Sequence, residues 1–225
     1  MDIDLKQYNP VVDSYSEQIN EMNKKSNSEF RDAFESIKLN GVNVVEFGCG
    51  AGDLISYIKD HGLKYSGIDS SEEMINSIKQ KFSTDVNVKV GDFTKTTFTK
   101  KSFDLVFSKW AIQTIDNVDL AYKESVRLLK DDGFLLFLVV HPIRHFLEKK
   151  KKGKNYFTQE LVESVIFSGT ITVREPSHTV SEYFSDYFLQ NFNLLKVHES
   201  YEFPGAEQIN GDIYPTHLLY IAQKK

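Results

Sequence analysis

A single cysteine, Cys49, occurs in 225 residues, so no intramolecular disulfide can form, and a chain of this size does not need one. No apolar run reaches the ~18 residues of a membrane-spanning helix. The opening MDIDLKQYNP is polar and acidic, unlike an ordinary signal peptide, and the expected placement is cytoplasmic, away from membranes. Basic residues are outnumbered, 27 against 32, giving a net charge of −5 and a pI near 5.7. A protein that grips a phosphate backbone usually carries a basic surface, so nucleic acid is not the expected partner. H-E-x-x-H, C-x-x-C and similar clusters are missing, which leaves a metal site without support. Internal repeats, low-complexity tracts and a convincing interdomain linker are also lacking.

What is present is a hydrophobic fraction of 40%, enough for one α/β domain with a sizeable core. The chain is organised around VVEFGCGAGDLISYI, Val44 to Ile58. Val44, Val45 and Phe47 form a short β-branched and aromatic run that suits a buried strand. Gly48, Gly50 and Gly52 follow at every second position, where the backbone can turn sharply and approach a ligand without intervening Cβ atoms. Asp53 then reads as a helix N-cap, with Leu54, Ile55 and Ile58 on one apolar face. Strand, glycine loop and helix in that order form a nucleotide-cofactor pocket at the carboxyl end of a parallel strand.

A second strand, Lys64 to Ile68, ends at Asp69, about 17 residues beyond Gly52 and close to the spacing at which an acid meets a ribose. Val86 to Val90 is a third strand, followed by Gly91, Asp92 and Phe93, and Phe103 to Ser108 a fourth. Helices are expected at Asp53 to Asp60, Ser71 to Phe82 and Val118 to Leu129, and earlier from Ser28 to Ile37. Asp132-Gly133 reads as a turn before the apolar run Phe134 to Val140, which suits a central strand buried on both faces. Alternation of strand and helix predicts a doubly wound, mostly parallel α/β sheet. Beyond it, EKKKKGK reads as a solvated charge run and FSGTITV as a short strand. Val180 to Phe192 reads as one helix, with Leu194 to Ser200 and His217 to Ala222 as closing strands.

The segments VVEFGCGAGD, GIDSSEEMI, GDF, FDLVFSKWAIQTI and LLKDDGFLLFLVVHP occur in the order and at the spacing of one family. Across roughly Val42 to Pro142 the chain resembles the class I S-adenosylmethionine-dependent methyltransferases. Its C-terminal third is similar to the small-molecule, type 11-like branch. The resemblance implies a seven-stranded Rossmann-like sheet with one reversed strand and a small cap, in a single domain over 1–225. An N-terminal cap segment would cover 1–40, the cofactor-binding core 42–141, a substrate-cap insertion 142–178, and the closing helix and strands 179–225. It implies S-adenosyl-L-methionine as cofactor and S-adenosyl-L-homocysteine as product, with a small-molecule acceptor and a monomeric or homodimeric enzyme.

By the same resemblance the cofactor would meet Glu46, Gly48, Cys49, Gly50, Gly52, Asp69, Ser70, Met74, Asp92, Phe93, Ser108 and Tyr15. Asp69 would take the ribose hydroxyls and Asp92-Phe93 the adenine. Tyr15 would lie in an N-terminal segment that closes over the cofactor. Several of these carry a plainer structural reading: Cys49 as a small side chain where space is short, Met74 as core, Asp69 as a strand-end turn residue. His141, at the end of the fifth strand, is the candidate catalytic base where the acceptor is a hydroxyl or protonated amine, or else a polar strand-end residue before Pro142. Tyr156, Arg174 and His178 are the candidate substrate residues; an Arg174-Glu175 pair could hold a polar or zwitterionic substrate, but an ordinary surface salt bridge is the better reading.

Competing chemistries leave weaker traces. A dinucleotide dehydrogenase calls for G-x-G-x-x-G, whereas here the third glycine falls two residues on. Gly-Lys-Ser/Thr is missing, which excludes a P-loop nucleotidase. The Asn-Pro-Pro-aromatic signature of many nucleobase and glutamine N-methyltransferases is replaced by SKWA. A non-catalytic cofactor-binding partner subunit is the rival reading, and a protein or RNA methyltransferase a third.

Overall fold

Hydrophobic alternation along each strand sends neighbouring side chains to opposite faces, so a doubly wound sheet needs two cores, and both are found. Val45, Phe47, Val106 and Phe137 pack on one face of a central sheet; Val44, Leu105, Phe107 and Leu136 pack on the other. The computed structural model describes residues 7–14, 23–82, 86–166, 171–202 and 211–225.

Among the described residues the strands are β1 (Asn43–Phe47), β2 (Lys64–Asp69), β3 (Asn87–Val90), β4 (Phe103–Lys109), β5 (Leu129–Val140), β6 (Leu161–Ile166), β7 (Ile171–Pro176), β8 (Phe192–Ser200) and β9 (His217–Lys224). The helices are α1 (Lys24–Glu35), α2 (Ile55–Asp60), α3 (Glu72–Phe82), α4 (Asp119–Leu128), α5 (Pro142–Glu148), α6 (Val180–Tyr183) and α7 (Asp186–Asn191), with a 3-10 turn at Asn9–Ser14. Seven strands form one sheet in the order β3-β2-β1-β4-β5-β9-β8. β1 to β5 run parallel, and β9 is reversed between β5 and β8. The strand order turns about β1 and β4, the position where open α/β sheets leave a crevice beyond their carboxyl ends. β6 and β7 form a separate antiparallel hairpin.

The seven-stranded expectation holds, and four local expectations change. Asp53 is not the cap of α2, which starts at Ile55 with Leu54 before it and no side-chain cap bond. Asp132-Gly133 does not end an element: β5 already begins at Leu129, and the irregularity is a register shift with Asp132 at φ 62°. The single helix expected over Val180 to Phe192 is two. Thr179 and Glu182 form a capping box on α6, and Ser185 Oγ accepts from the Phe188 amide to start α7. α5 was not anticipated: Pro142 stands in its first turn and His141 caps it.

Candidate functional site

The ends of β1 to β4 converge on one cavity. Gly48 and Gly50 face it from β1, Asp69 and Ser70 from β2, Gly91, Asp92 and Phe93 from β3, and Lys109, Trp110 and Ala111 from β4. Met74 contributes from α3 and Ser71 from just before it, Thr114 and Ile115 from the turn after β4, and Gln7 and Tyr8 from the N-terminal segment.

Glycine is required in the loop. Gly48 has φ +68°, and a Cβ there would stand 2.2 Å from the Cβ of Ala111. Gly52, at φ +82°, faces Ile55 and Ile78 in the core instead of the cavity. Asp69 is fixed by backbone: Oδ2 accepts from the Gly50 amide at 2.8 Å and Oδ1 from the Ser71 amide at 2.9 Å. Burial raises its carboxyl above the ordinary value, opposed by the amides of Ser71, Gly50 and Ser70. Phe93 stacks on Phe47, with centroids 5.6 Å apart and planes at 16°. Asp92 Oδ1 is turned onto Thr94, accepting from its amide at 2.8 Å and its hydroxyl at 2.7 Å. Met74 is buried and also lines the cavity.

Other candidates lie behind the wall. The Ser108 hydroxyl donates to the Phe47 carbonyl at 2.8 Å and ties β4 to β1. Cys49 is buried against Gly67, which suits a small residue in a tight place, and burial pushes its thiol well up. Glu46 accepts from the Tyr65 hydroxyl at 2.5 Å. Desolvation pushes its carboxyl up to about 8, despite Tyr65 and Lys109. Lys109, which sequence reasoning did not assign, bridges this buried layer and the cavity. Its Nζ donates to Asn27 Oδ1 at 2.8 Å, and burial lowers its ammonium against the pull of Asp53 and Glu46. Tyr15 lies outside the described residues.

His141 does not line the cavity. Its Nδ1 accepts from the Ile143 amide at 3.1 Å, which places the proton on Nε2, 2.7 Å from Glu199 Oε1. The one lone pair a base would use is therefore spent on capping α5. Arg174 is exposed and paired with Glu163 at 2.6 Å, on the outer face of the hairpin. The Tyr156 hydroxyl accepts from the Val180 amide at 2.8 Å. His178 is buried, with Nε2 3.2 Å from the Gln113 carbonyl oxygen.

Sequence reasoning expected an N-terminal segment over the cofactor but gave no role to Gln7, Tyr8 or Asn9, nor to Trp110 opposite. Gln7 clamps the β7 edge, accepting from the Arg174 amide at 2.7 Å and donating to its carbonyl at 3.3 Å. Tyr8 donates to Glu175 at 3.1 Å, and Asn9 accepts from Ser71 at 2.9 Å. The segment thus straps the hairpin to α3 across the cavity. Trp110 forms a wall with a left-handed backbone, φ 63°, a conformation that a bulky residue adopts only when its surroundings impose it.

Residues 45–137 match the family described as the methyltransferase domain. Over 131 residues the chain is 27% identical to a malonyl-[acyl-carrier protein] O-methyltransferase of Enterobacter lignolyticus, covering 55% of this chain and 52% of that protein. Over 108 residues it is 27% identical to a ubiquinone biosynthesis O-methyltransferase of Pelagibacter ubique, covering 46% and 44%. The chain thus spans about half the length of these curated relatives. Among solved structures, an S-adenosylmethionine dependent methyltransferase of Mesorhizobium loti superposes with TM-score 0.67 at 20% identity, over 87% of this chain and 96% of that one. The glycopeptide N-methyltransferase MtfA, complexed with S-adenosyl-L-methionine, gives 0.62 at 15% identity, over 87% and 92%. At these identities the structural likeness is one of fold.

Proposed function

We propose that this chain is a class I S-adenosylmethionine-dependent methyltransferase of the type 11 branch, as the match of residues 45–137 to the methyltransferase domain supports, and that it binds S-adenosylmethionine in the cavity at its strand ends and methylates a small molecule. One observation carries the reading: the Asp69 carboxylate, pinned by two backbone amides, stands in the same cavity as the Gly48–Gly50 loop and Asp92-Phe93. The residues fit the group. The loop offers a backbone surface that a Cβ would obstruct, Asp69 supplies acceptors for ribose hydroxyls, and Met74 and Phe93 supply apolar faces for adenine. Gly48, Gly50, Asp69, Ser70, Met74, Asp92 and Phe93 would hold it directly. Glu46, Cys49, Gly52 and Ser108 would support the loop from behind.

Bound S-adenosylmethionine supplies an electrophilic methyl on a sulfonium, so the protein's part is orientation and exclusion of water. The strap of Gln7 and Tyr8 and the wall of Trp110 enclose the space beside the loop. An acidic chain with a small enclosed cavity suits a metabolite better than a nucleic acid. The kinship with two O-methyltransferases supports an O-acceptor by analogy only, and does not select N, O or C. Calorimetric titration with S-adenosylhomocysteine tests the cofactor half. Micromolar or tighter binding that Asp69→Ala weakens is expected; a folded wild type that binds none would refute it.

A further inference from the structure

Asp69 and Asp92 line the cavity, and Lys109 is the one cation among the described residues that does so. Strand alternation fixes its direction. Leu105 and Phe107 precede it at intervals of two and pack in the core beneath α1, so Lys109 turns to the same face. Its Nζ donates to Asn27 Oδ1 of α1 at 2.8 Å, a neutral partner. No carboxylate among the described residues comes within ion-pair distance of it. Glu46 and Asp53 stand further off: the Tyr65 hydroxyl holds Glu46, and Asp53 Oδ1 is buried without a partner. Burial lowers the Lys109 ammonium, and these two carboxylates pull it back up. A cation is thus kept at the cavity wall by neighbours that do not pair with it.

An ammonium drawn out of water without a matching anion is costly, so this one calls for a negative charge from a ligand. Strand order sets which part of a ligand can supply it. The cavity runs along β3, β2, β1 and β4, with Asp92 and Phe93 at one end, Asp69 next and Lys109 at the other. With adenine beside Phe93 and ribose on Asp69, the rest of the cofactor continues over the glycine loop toward β4. Two strand steps separate β2 from β4, roughly 10 Å at about 4.8 Å each, a span that the amino-acid tail on the ribose can cover. The α-carboxylate at the end of that tail is the one negative charge the cofactor carries.

We propose that Lys109 is a cofactor-binding residue whose ammonium pairs with the carboxylate of the cofactor's amino-acid end. The pair anchors the tail at β4 while Asp69 anchors the ribose at β2, so the sulfur between them is held from both sides. Lys109 then selects a cofactor with an intact amino-acid end over one that lacks the carboxylate. The inference rests on the methyltransferase reading and deepens its cofactor site. A carboxylate on the acceptor would offer the same chemistry, and the two probes below separate these sources.

The test titrates S-adenosylhomocysteine and its decarboxylated analogue, which keeps the amine, into the full chain by calorimetry. Wild type is expected to bind S-adenosylhomocysteine about tenfold or more tightly than the analogue, the scale of one charge-assisted pair. Lys109→Met should remove that preference by weakening S-adenosylhomocysteine alone, and Lys109→Gln serves if the apolar variant does not fold. Lys101→Met, an exposed change before the opposite end of β4, should keep it. Equal wild-type affinity for the two ligands overturns the proposal, needs no variant, and leaves the methyltransferase reading standing with Lys109 free for an acceptor. A preference that survives loss of the Lys109 charge overturns it as well. Wild type that binds neither ligand refutes the methyltransferase reading, and the inference with it.

Discussion

The two halves of the cavity are built from different material. On the β1–β3 side the working surface is largely backbone: a glycine loop, two amides holding Asp69, and the turn carrying Asp92 and Phe93. On the side of the N-terminal segment and the turn after β4 it is side chains: Tyr8, Trp110, Thr114 and Ile115 line it, with buried Glu175 and Gln113 bonded to Tyr8 and to the Trp110 carbonyl. Backbone geometry tolerates few residue types, so the first half is rigidly specified. The second half can change its chemistry by exchanging side chains on the same frame, as expected where a shared cofactor meets a variable acceptor.

The sharpest break in this comparison is at Gly48. Gly48→Ala combines a left-handed φ with a 2.2 Å clash and should cost roughly 2–3 kcal/mol, read as a fall in Tm with loss of S-adenosylhomocysteine binding. Gly62→Ala has a similar φ, +72°, but open space around it, and should lose only about 1 kcal/mol. A Gly48→Ala protein as stable and as tight-binding as wild type would mean that the loop is not the rigid half.

Glu46 supplies a pH-dependent version of the same contrast. Burial pushes its folded carboxyl up to about 8, well above the ordinary 4.5, so the unfolded chain ionises first as pH rises. Stability is then lost between about pH 4.5 and 8 and the penalty is constant above. Glu46→Gln cannot titrate, and its Tm should exceed wild type by a few degrees at pH 8 to 9, the gap closing toward pH 5. A gap independent of pH contradicts the assignment.

His141 lies outside both halves. His141→Ala should lose about 1–2 kcal/mol in chemical denaturation through the missing α5 cap, and His141→Asn, which can also accept from an amide, should recover much of it. Equal losses in both variants would argue against capping. The smallest effect is expected at Arg174. Arg174→Ala removes an exposed pair with Glu163 and should move Tm by about a degree or less, leaving S-adenosylhomocysteine affinity unchanged.

The same division governs what could be read from the sequence. Gly48, Gly50, Asp69, Ser70, Met74, Asp92 and Phe93 reach the cavity because strand, loop and helix follow one another locally, and local order is visible in a linear text. Glu175 meets Tyr8 and Gln113 only through long-range packing, at sequence separations of 167 and 62. One signal was available: the period-two pattern of ITVREP places Glu175 with Ile171 and Val173 on the inward face and turns Arg174 outward. Reading Arg174-Glu175 as a single pair overlooked it. His141 was expected to face the pocket because it ends β5, and the Pro142 step that follows instead starts a helix and claims the imidazole as its cap.

On the proposed reading the strand ends form the cofactor site and the hairpin side does not. A crystal structure of the chain with S-adenosylhomocysteine tests it most directly. The ribose hydroxyls are expected on the Asp69 carboxylate and the adenine beside Phe93, with His141 and Arg174 untouched. Ligand bound at the hairpin, or contacting neither Asp69 nor the Gly48–Gly50 loop, would contradict it.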